Sequence, residues 1–415
     1  MDKTKPFCIS KHAVWRAWLK IKENAGAAGV DEQSLAQFEQ DLKGNLYKLW
    51  NRLSSGSYFP PPVRLVEIPK RDGGVRPLGV PTVADRIAQT VVAAELEKLV
   101  EPVFDDDSYG YRPGRSAHDA LETCRRRCWR YGWVVDLDVK DFFGSVDHEL
   151  MLKAVAHHTD QRWILLYVQR WLKAPTQQPD GTLVERDRGT PQGSAISPVL
   201  ANLYLHYAFD LWMRRTFPSV PFERYADDAI AHCATEAQAE GVREAIGRRL
   251  AECGLTLHPD KTRVVYCKQE GRPGSYEHVS FDFLGYTFRP RKAKNKTGQF
   301  FVSFSPAISR TAAKRIRGEI RSWRLHHRTD QSLGELAAFI NPIVRGWINY
   351  YGRFYRSELT SSVLSQINMY LIRWAMWKYK RMRYSPHRAA RFLGGIIRSN
   401  PTMFTHWQLV SIKAG

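Results

Sequence analysis

Acidic residues nearly vanish from the last third of this 415-residue sequence. Residues 281–415 hold 24 Lys and Arg against 5 Asp and Glu, while residues 1–280 hold 38 against 37. The net charge of +20 is therefore concentrated in one segment. That predicts a near-neutral front part and a strongly basic module facing a polyanion, either nucleic acid or an anionic membrane surface. Cysteine is scarce, with six residues and no C-x-x-C pair. Zinc sites built from close cysteine pairs are thereby disfavoured. Cys124 and Cys128 share a helix face in an arginine-rich pattern and read as reduced and half-buried. No apolar run reaches the roughly 18–20 residues of a spanning helix. The N-terminus shows no signal-peptide apolar region, so a cytoplasmic protein is expected. Internal repeats and low-complexity linkers are also missing.

What is present alternates between helical and strand patterns. Helical spacing runs through residues 10–50 around a glycine-containing break at 24–31. Pro60-Pro61-Pro62 forces an extended entry to Val63–Lys70, and Arg71-Asp72-Gly73-Gly74 turns the chain back through Val75–Val80. This hairpin carries Lys70, Arg71 and Arg76; protective charge on a solvated edge would explain them equally well. Thr82 and Asp85 give a capping-box-like start to the next helix. A helix over about 117–130 follows, then a buried strand, Trp133–Lys140, that ends in acids. Strand period puts Asp136 and Asp138 on one face. Gly189-Thr190-Pro191-Gln192-Gly193 opens a long helix and could approach a phosphate closely. Helices at about 310–325, 332–350 and 358–380 make up the basic third, where arginines interleave with aromatics. The element order suits an α+β domain with a mostly antiparallel sheet.

Tyr225-Ala226-Asp227-Asp228 lies between two short apolar flanks and reads as a hairpin with an acidic turn. Adjacent carboxylates raise each other's proton affinity, and a hard divalent cation offsets that repulsion. A solvated turn is the bland alternative, since Asp is common in turns. Asp138, at the end of a core strand, is costly to bury without a partner. Three carboxylates from two β elements could hold two Mg²⁺ ions about 3.5–4 Å apart.

The ordered set resembles the bacterial group II intron-encoded reverse transcriptases with a maturase domain. It includes Arg76-Pro77-Leu78-Gly79-Val80-Pro81, Tyr109-Gly110-Tyr111-Arg112-Pro113-Gly114-Arg115, Asp136–Phe143, Gly189–Gly193, Tyr225–Asp228, Phe283–Tyr286 and Asn341–Tyr351. The resemblance implies a right-hand polymerase: an N-terminal extension (1–55), fingers (56–130), palm (131–300), helical thumb and maturase domain (301–383) and a short basic DNA-binding remnant (384–415). It implies RNA-directed DNA synthesis with two Mg²⁺ ions on Asp138, Val139, Asp227 and Asp228. Lys70, Arg76, Phe142, Phe143, Gln192 and Lys261 would meet the nucleotide, with Phe143 as a gate against the 2′-hydroxyl. Phe283, Leu284, Gly285 and Tyr286 would form the primer grip. Implied partners are intron RNA, an RNA/DNA primer-template and dNTPs, with no membrane. Assistance to splicing and retrohoming is implied too. The alternatives are a host-adopted reverse transcriptase in DNA repair or phage defence, and an RNA-binding maturase without polymerase activity. Gly144 and Ser194 depart from the family's commoner residues. The cysteine-paired HNH nuclease of longer relatives is not expected.

Overall fold

The computed structural model describes residues 5–69, 74–295 and 297–412, and for Arg76 the backbone alone. The chain forms two compact units: Met1–Ala120, Val135–Cys233 and Ala237–Arg263 make the first, and Leu121–Val134, Ala234–Glu236 and Val264–Gly415 the second. Residues 121–134 and 264–300 group with the basic helices.

In the first unit, helices Lys11–Asn24, Leu35–Gln40 and Leu42–Ser55 come first. Ser34 caps the second in a reciprocal box with Gln37, and Trp18 stacks on Phe38 at 5.4 Å. Strands β1 (Val63–Pro69) and β2 (Val75–Val80) pair antiparallel from Arg64↔Val80 to Pro69↔Val75. Lys70 and most of the turn between them, Arg71 to Gly73, lie outside the described residues. The apolar face of helix Val83–Val100 is buried, with Ile87, Ala88, Val92 and Leu96 at 0% exposure. Strand β3 (Trp133–Leu137) ends one residue before Asp138. Two short strands, β4 (Thr176–Gln177) and β5 (Leu183–Val184), extend the first sheet to the order β2-β1-β4-β5. Two-residue strands carry no readable period, so the sequence pattern does not reveal them.

Strands β6 (Phe222–Tyr225) and β7 (Asp228–Cys233) form the acid hairpin, and β3 lies on the far side of β7. The long helix expected after residue 196 is interrupted. It runs as Ser197–Leu205, a π turn at His206–Asp210, then Leu211–Thr216. The wider turn shifts the helix phase by one residue, which apolar spacing does not report.

The second unit begins with the larger part of helix Ala117–Arg130. Cys124 and Cys128 are fully buried there, deeper than the half-burial expected. After β8 (Arg263–Tyr266), strands β9 (Phe281–Phe283), β10 (Tyr286–Lys294) and β11 (Phe300–Ile308) form an antiparallel sheet in the order β11-β10-β9. Phe281 stacks on Phe288 at 4.8 Å. Helices Arg310–Ser322, Leu333–Tyr351 and Ser365–Lys378 follow, burying Ile316, Ile320, Leu336, Ile340 and Leu371. Residues from 384–412 contribute to this core. Helix Pro386–Ser399 leads to buried Phe404, His406 and Trp407. Asn341 holds that end, donating to Met403 O at 2.8 Å and accepting from the Thr405 N–H at 2.9 Å.

Candidate active site

Tyr225 pairs with Asp228 across the hairpin, so the turn consists of Ala226 and Asp227, and Asp228 is the first residue of β7. Ala226 has φ +58°. A left-handed alanine costs roughly 1–2 kcal/mol and persists only where its surroundings enforce it. Arg224 supplies much of that enforcement. Its guanidinium, 1% exposed, donates to both Asp210 oxygens at 2.7 and 2.6 Å, to Asn202 Oδ1 at 3.0 Å and to Ala226 O at 2.9 Å. Asn202 in turn donates to Gly110 O at 2.7 Å. Gly110 is pressed against the turn: a Cβ there would lie 2.3 Å from Ala226 N. The π turn delivers Asp210 to Arg224.

Asp107 and Tyr109 lie alongside β6, through Arg224 N–H to Asp107 O at 2.9 Å and Tyr109 N–H to Arg224 O at 2.8 Å. Arg214 fixes that stretch by bonding Asp105 and Asp107, each at 2.7 Å. None of Arg224, Asp210, Asn202 or Arg214 stands out in the sequence. The sequence shows only an arginine next to the Tyr-Ala-Asp-Asp run, and its burial is not legible there.

Asp138 is placed by a short antiparallel bridge centred on Val139 and Leu257. Its carbonyl accepts the His258 N–H at 2.7 Å, and Lys140 N–H donates to Thr256 O at 2.8 Å. In such a bridge the central residue's own N–H and C=O face away from the partner. The Val139 carbonyl therefore points to the opposite edge. Lys261 Nζ lies 2.8 Å from Asp138 Oδ2. Desolvation in the crowded cleft, then the charges of Asp227 and Asp138, push Asp228 up to about 7, while Lys261 acts to lower it. Its side chain nevertheless faces solvent at the head of β7. The three carboxylates thus share one electrostatic site, open to water and overloaded with negative charge. A hard cation with oxygen ligands fits such a donor set.

A cavity of about 210 Å³ is lined by Leu65, Pro77 and Gly79 from the β1–β2 sheet, by Phe143 and Gly144, and by Arg186 and Gln192 among others. The loop carrying Gln192 is pinned by Gly79 N–H to Gln192 O and by Thr190 N–H to Phe143 O, both 2.7 Å. Gly193 has φ +109°, and a Cβ there would lie 2.7 Å from Gly79 O. Phe143 and Gln192 are therefore brought together. Phe142 turns inward instead, 2% exposed and edge-on to Tyr204. Lys70 lies outside the described residues; Arg76 pairs with Ile68 through its backbone. Asp85 does not close the capping box expected of it. Thr82 caps its N–H, but its carboxylate is buried against Tyr58, Trp171 and Gln89.

In the second unit, Leu284 and Gly285 form a two-residue turn between β9 and β10, with φ +51° and +78°. Positive φ at both positions marks a hairpin turn matched to strand twist. Tyr350 Oη donates to Leu284 O at 2.8 Å, and Ser309 N–H donates to Gly285 O at 3.0 Å. Tyr286 is buried and bonds the Tyr350 carbonyl. Of the aromatics interleaved with arginines, Trp374, Tyr351 and Phe354 belong to the core, while Trp377 and Tyr384 are exposed.

Two family models match the chain. Reverse transcriptase (RNA-dependent DNA polymerase) covers residues 68–288, and the group II intron maturase-specific domain covers residues 313–392. The Escherichia coli protein YkfC is 32% identical over 309 residues, 66% of this chain and 78% of that protein. The Lactococcus lactis group II intron-encoded protein LtrA is 34% identical over 193 residues, 46% of this chain and 32% of that protein. A solved Candida albicans telomerase, in complex with a fragment of telomeric RNA, superposes with a TM-score of 0.47 at 12% identity, covering 91% of this chain and 69% of that one.

Proposed function

The chain belongs to the reverse transcriptases that carry a group II intron maturase-specific domain, and from that premise we propose that it copies RNA into DNA by two-metal nucleotidyl transfer and also binds its parent intron RNA to assist splicing and retrohoming. The observation that carries the proposal is the shared site of Asp138, Asp227 and Asp228, in which two carboxylates raise the proton affinity of the third.

Asp138, Asp227, Asp228 and the Val139 carbonyl would hold Mg²⁺. Bound there, two such ions supply activation of a primer 3′-hydroxyl and neutralisation of the leaving pyrophosphate. The chain's own residues do the positioning. Arg224 fixes the acid hairpin through Ala226. Phe143 and Gln192 line the cavity beside β2 and would receive the dNTP sugar and base. Lys70 and Arg76 are proposed to meet the triphosphate. Lys261, already against Asp138, would neutralise charge as pyrophosphate leaves. Leu284 and Gly285 would support the primer strand. In the basic third, Trp377 and Tyr384 are the exposed rings on which RNA bases could stack, beside Lys378 and Arg383.

Primer extension on an RNA template with Mg²⁺ and dNTPs tests the proposal, with Asp227→Asn as the blank. Retention of RNA by the full chain without any synthesis would favour a maturase with an idle polymerase site.

A further inference from the structure

Gln89 is 1% exposed and uses both ends of its amide. Nε2 donates to Asp85 Oδ2 at 2.9 Å, and Oε1 accepts the Ala195 backbone N–H at 2.7 Å. Asp85, also 1% exposed, accepts at Oδ1 from the Tyr58 hydroxyl and from Trp171 Nε1–H, both at 2.7 Å. Burial pushes its carboxyl up to about 6 and the three hydrogen bonds act against that, so it is ionised above neutral pH. Ala195 follows Gln192 by three residues in the loop that lines the nucleotide cavity. Neither Asp85 nor Gln89 reaches that cavity.

The polarity of this chain of bonds is forced. An indole N–H and a backbone N–H can only donate. Between these two fixed donors, position 85 must accept from Trp171, and position 89 must accept from Ala195. With an ionised Asp85, the Gln89 amide has one orientation that satisfies both neighbours. We propose that Asp85 and Gln89 are positioning residues that set the loop Gly189–Ala195 and so orient Gln192 toward the incoming deoxynucleotide; this rests on the polymerase function proposed above.

Asp85→Asn keeps shape and breaks polarity. Its oxygen stays with Tyr58 and Trp171, and its NH₂ faces Gln89. Gln89 must then turn its oxygen to Asn, which leaves NH₂ against the Ala195 N–H. Gln89→Glu places two carboxylates together. The double variant Asp85→Asn/Gln89→Glu restores the order: the Asn amide donates to one Glu oxygen, and the other Glu oxygen accepts from Ala195.

The experiment measures kcat and the dNTP KM of the full-length protein at pH 8 on an RNA template, alongside denaturation midpoints. An unmet buried hydrogen bond corresponds to about a tenfold effect. The dNTP KM is expected to rise about that much in each single variant, with a smaller change in kcat, and to return in the double variant to within about threefold of wild type. Should a single variant fail to fold, the KM of the double variant decides. Unmoved KM values in foldable single variants, or a double variant no better than the worse single one, would overturn the relay while leaving the polymerase intact. An inactive wild type would overturn the polymerase function and the relay with it.

Discussion

Lys261 Nζ stands 2.8 Å from Asp138 Oδ2, and its charge also acts to lower the proton affinity of Asp228. One exposed ammonium therefore tempers repulsion at two of the three carboxylates. Lys261→Met removes that counter-charge, so Asp228 titrates at higher pH. The acidic limb of the pH–rate profile for primer extension should move to higher pH, and kcat should fall about 10²-fold if Lys261 also assists the leaving group. An unshifted limb would show that the lysine does not govern the site's charge.

Asp228 itself sets a second expectation. Its carboxyl is raised to about 7, so it is largely protonated below that pH. A divalent ion must displace this proton. Apparent Mg²⁺ affinity should therefore rise between about pH 6 and 7 and level off above the folded-state pKa. Titration calorimetry at several pH values measures this, and proton release should accompany binding at the lower pH.

Asp210 and Arg224 form a buried pair at 0% and 1% side-chain exposure. Asp210→Ala strands the guanidinium and should destabilise the chain by about 3–5 kcal/mol, read by denaturant unfolding. Replacing both, as Arg224→Met/Asp210→Leu, should recover most of that stability. Activity should stay low, because Ala226 O and Asn202 have still lost their donor. Recovery of full activity would separate Arg224 from the placement of the acid turn.

His406 is buried and bonds Asn368 Oδ1 at 2.9 Å. Desolvation lowers its pKa to about 3. The folded form excludes the proton that the unfolded form takes up, so stability is full above about pH 6.5 and is lost as pH falls from there toward the folded pKa. Equilibrium unfolding between pH 7 and 4 should show a slope that His406→Gln reduces.

Much of this was legible in the sequence, and the gaps have physical causes. Asp138, Asp227 and Asp228 were readable because a pair of like charges flanked by apolar strands needs an explanation, and one strand-end acid supplies part of it. The β1–β2 hairpin was readable from glycine and alternation. Arg224 and Asp210 were not: their pairing depends on a π turn that breaks helical periodicity. Thr82 caps its helix as the spacing suggests, but local spacing cannot say that the Asp85 carboxylate faces Tyr58 and Trp171 instead of closing the box. Trp374, Tyr351 and Phe354 resemble nucleic-acid contacts by composition, and burial assigns them to the core.

The most direct test is single-nucleotide incorporation on an RNA template annealed to a DNA primer, comparing wild type with Asp138→Asn and Asp227→Asn in Mg²⁺. Templated addition of the complementary dNTP by wild type is expected, with both variants reduced at least about 10³-fold. Wild-type protein that binds the duplex but adds no nucleotide, or variants that add it as well as wild type, would contradict the assignment of the three-carboxylate cleft as a polymerase site.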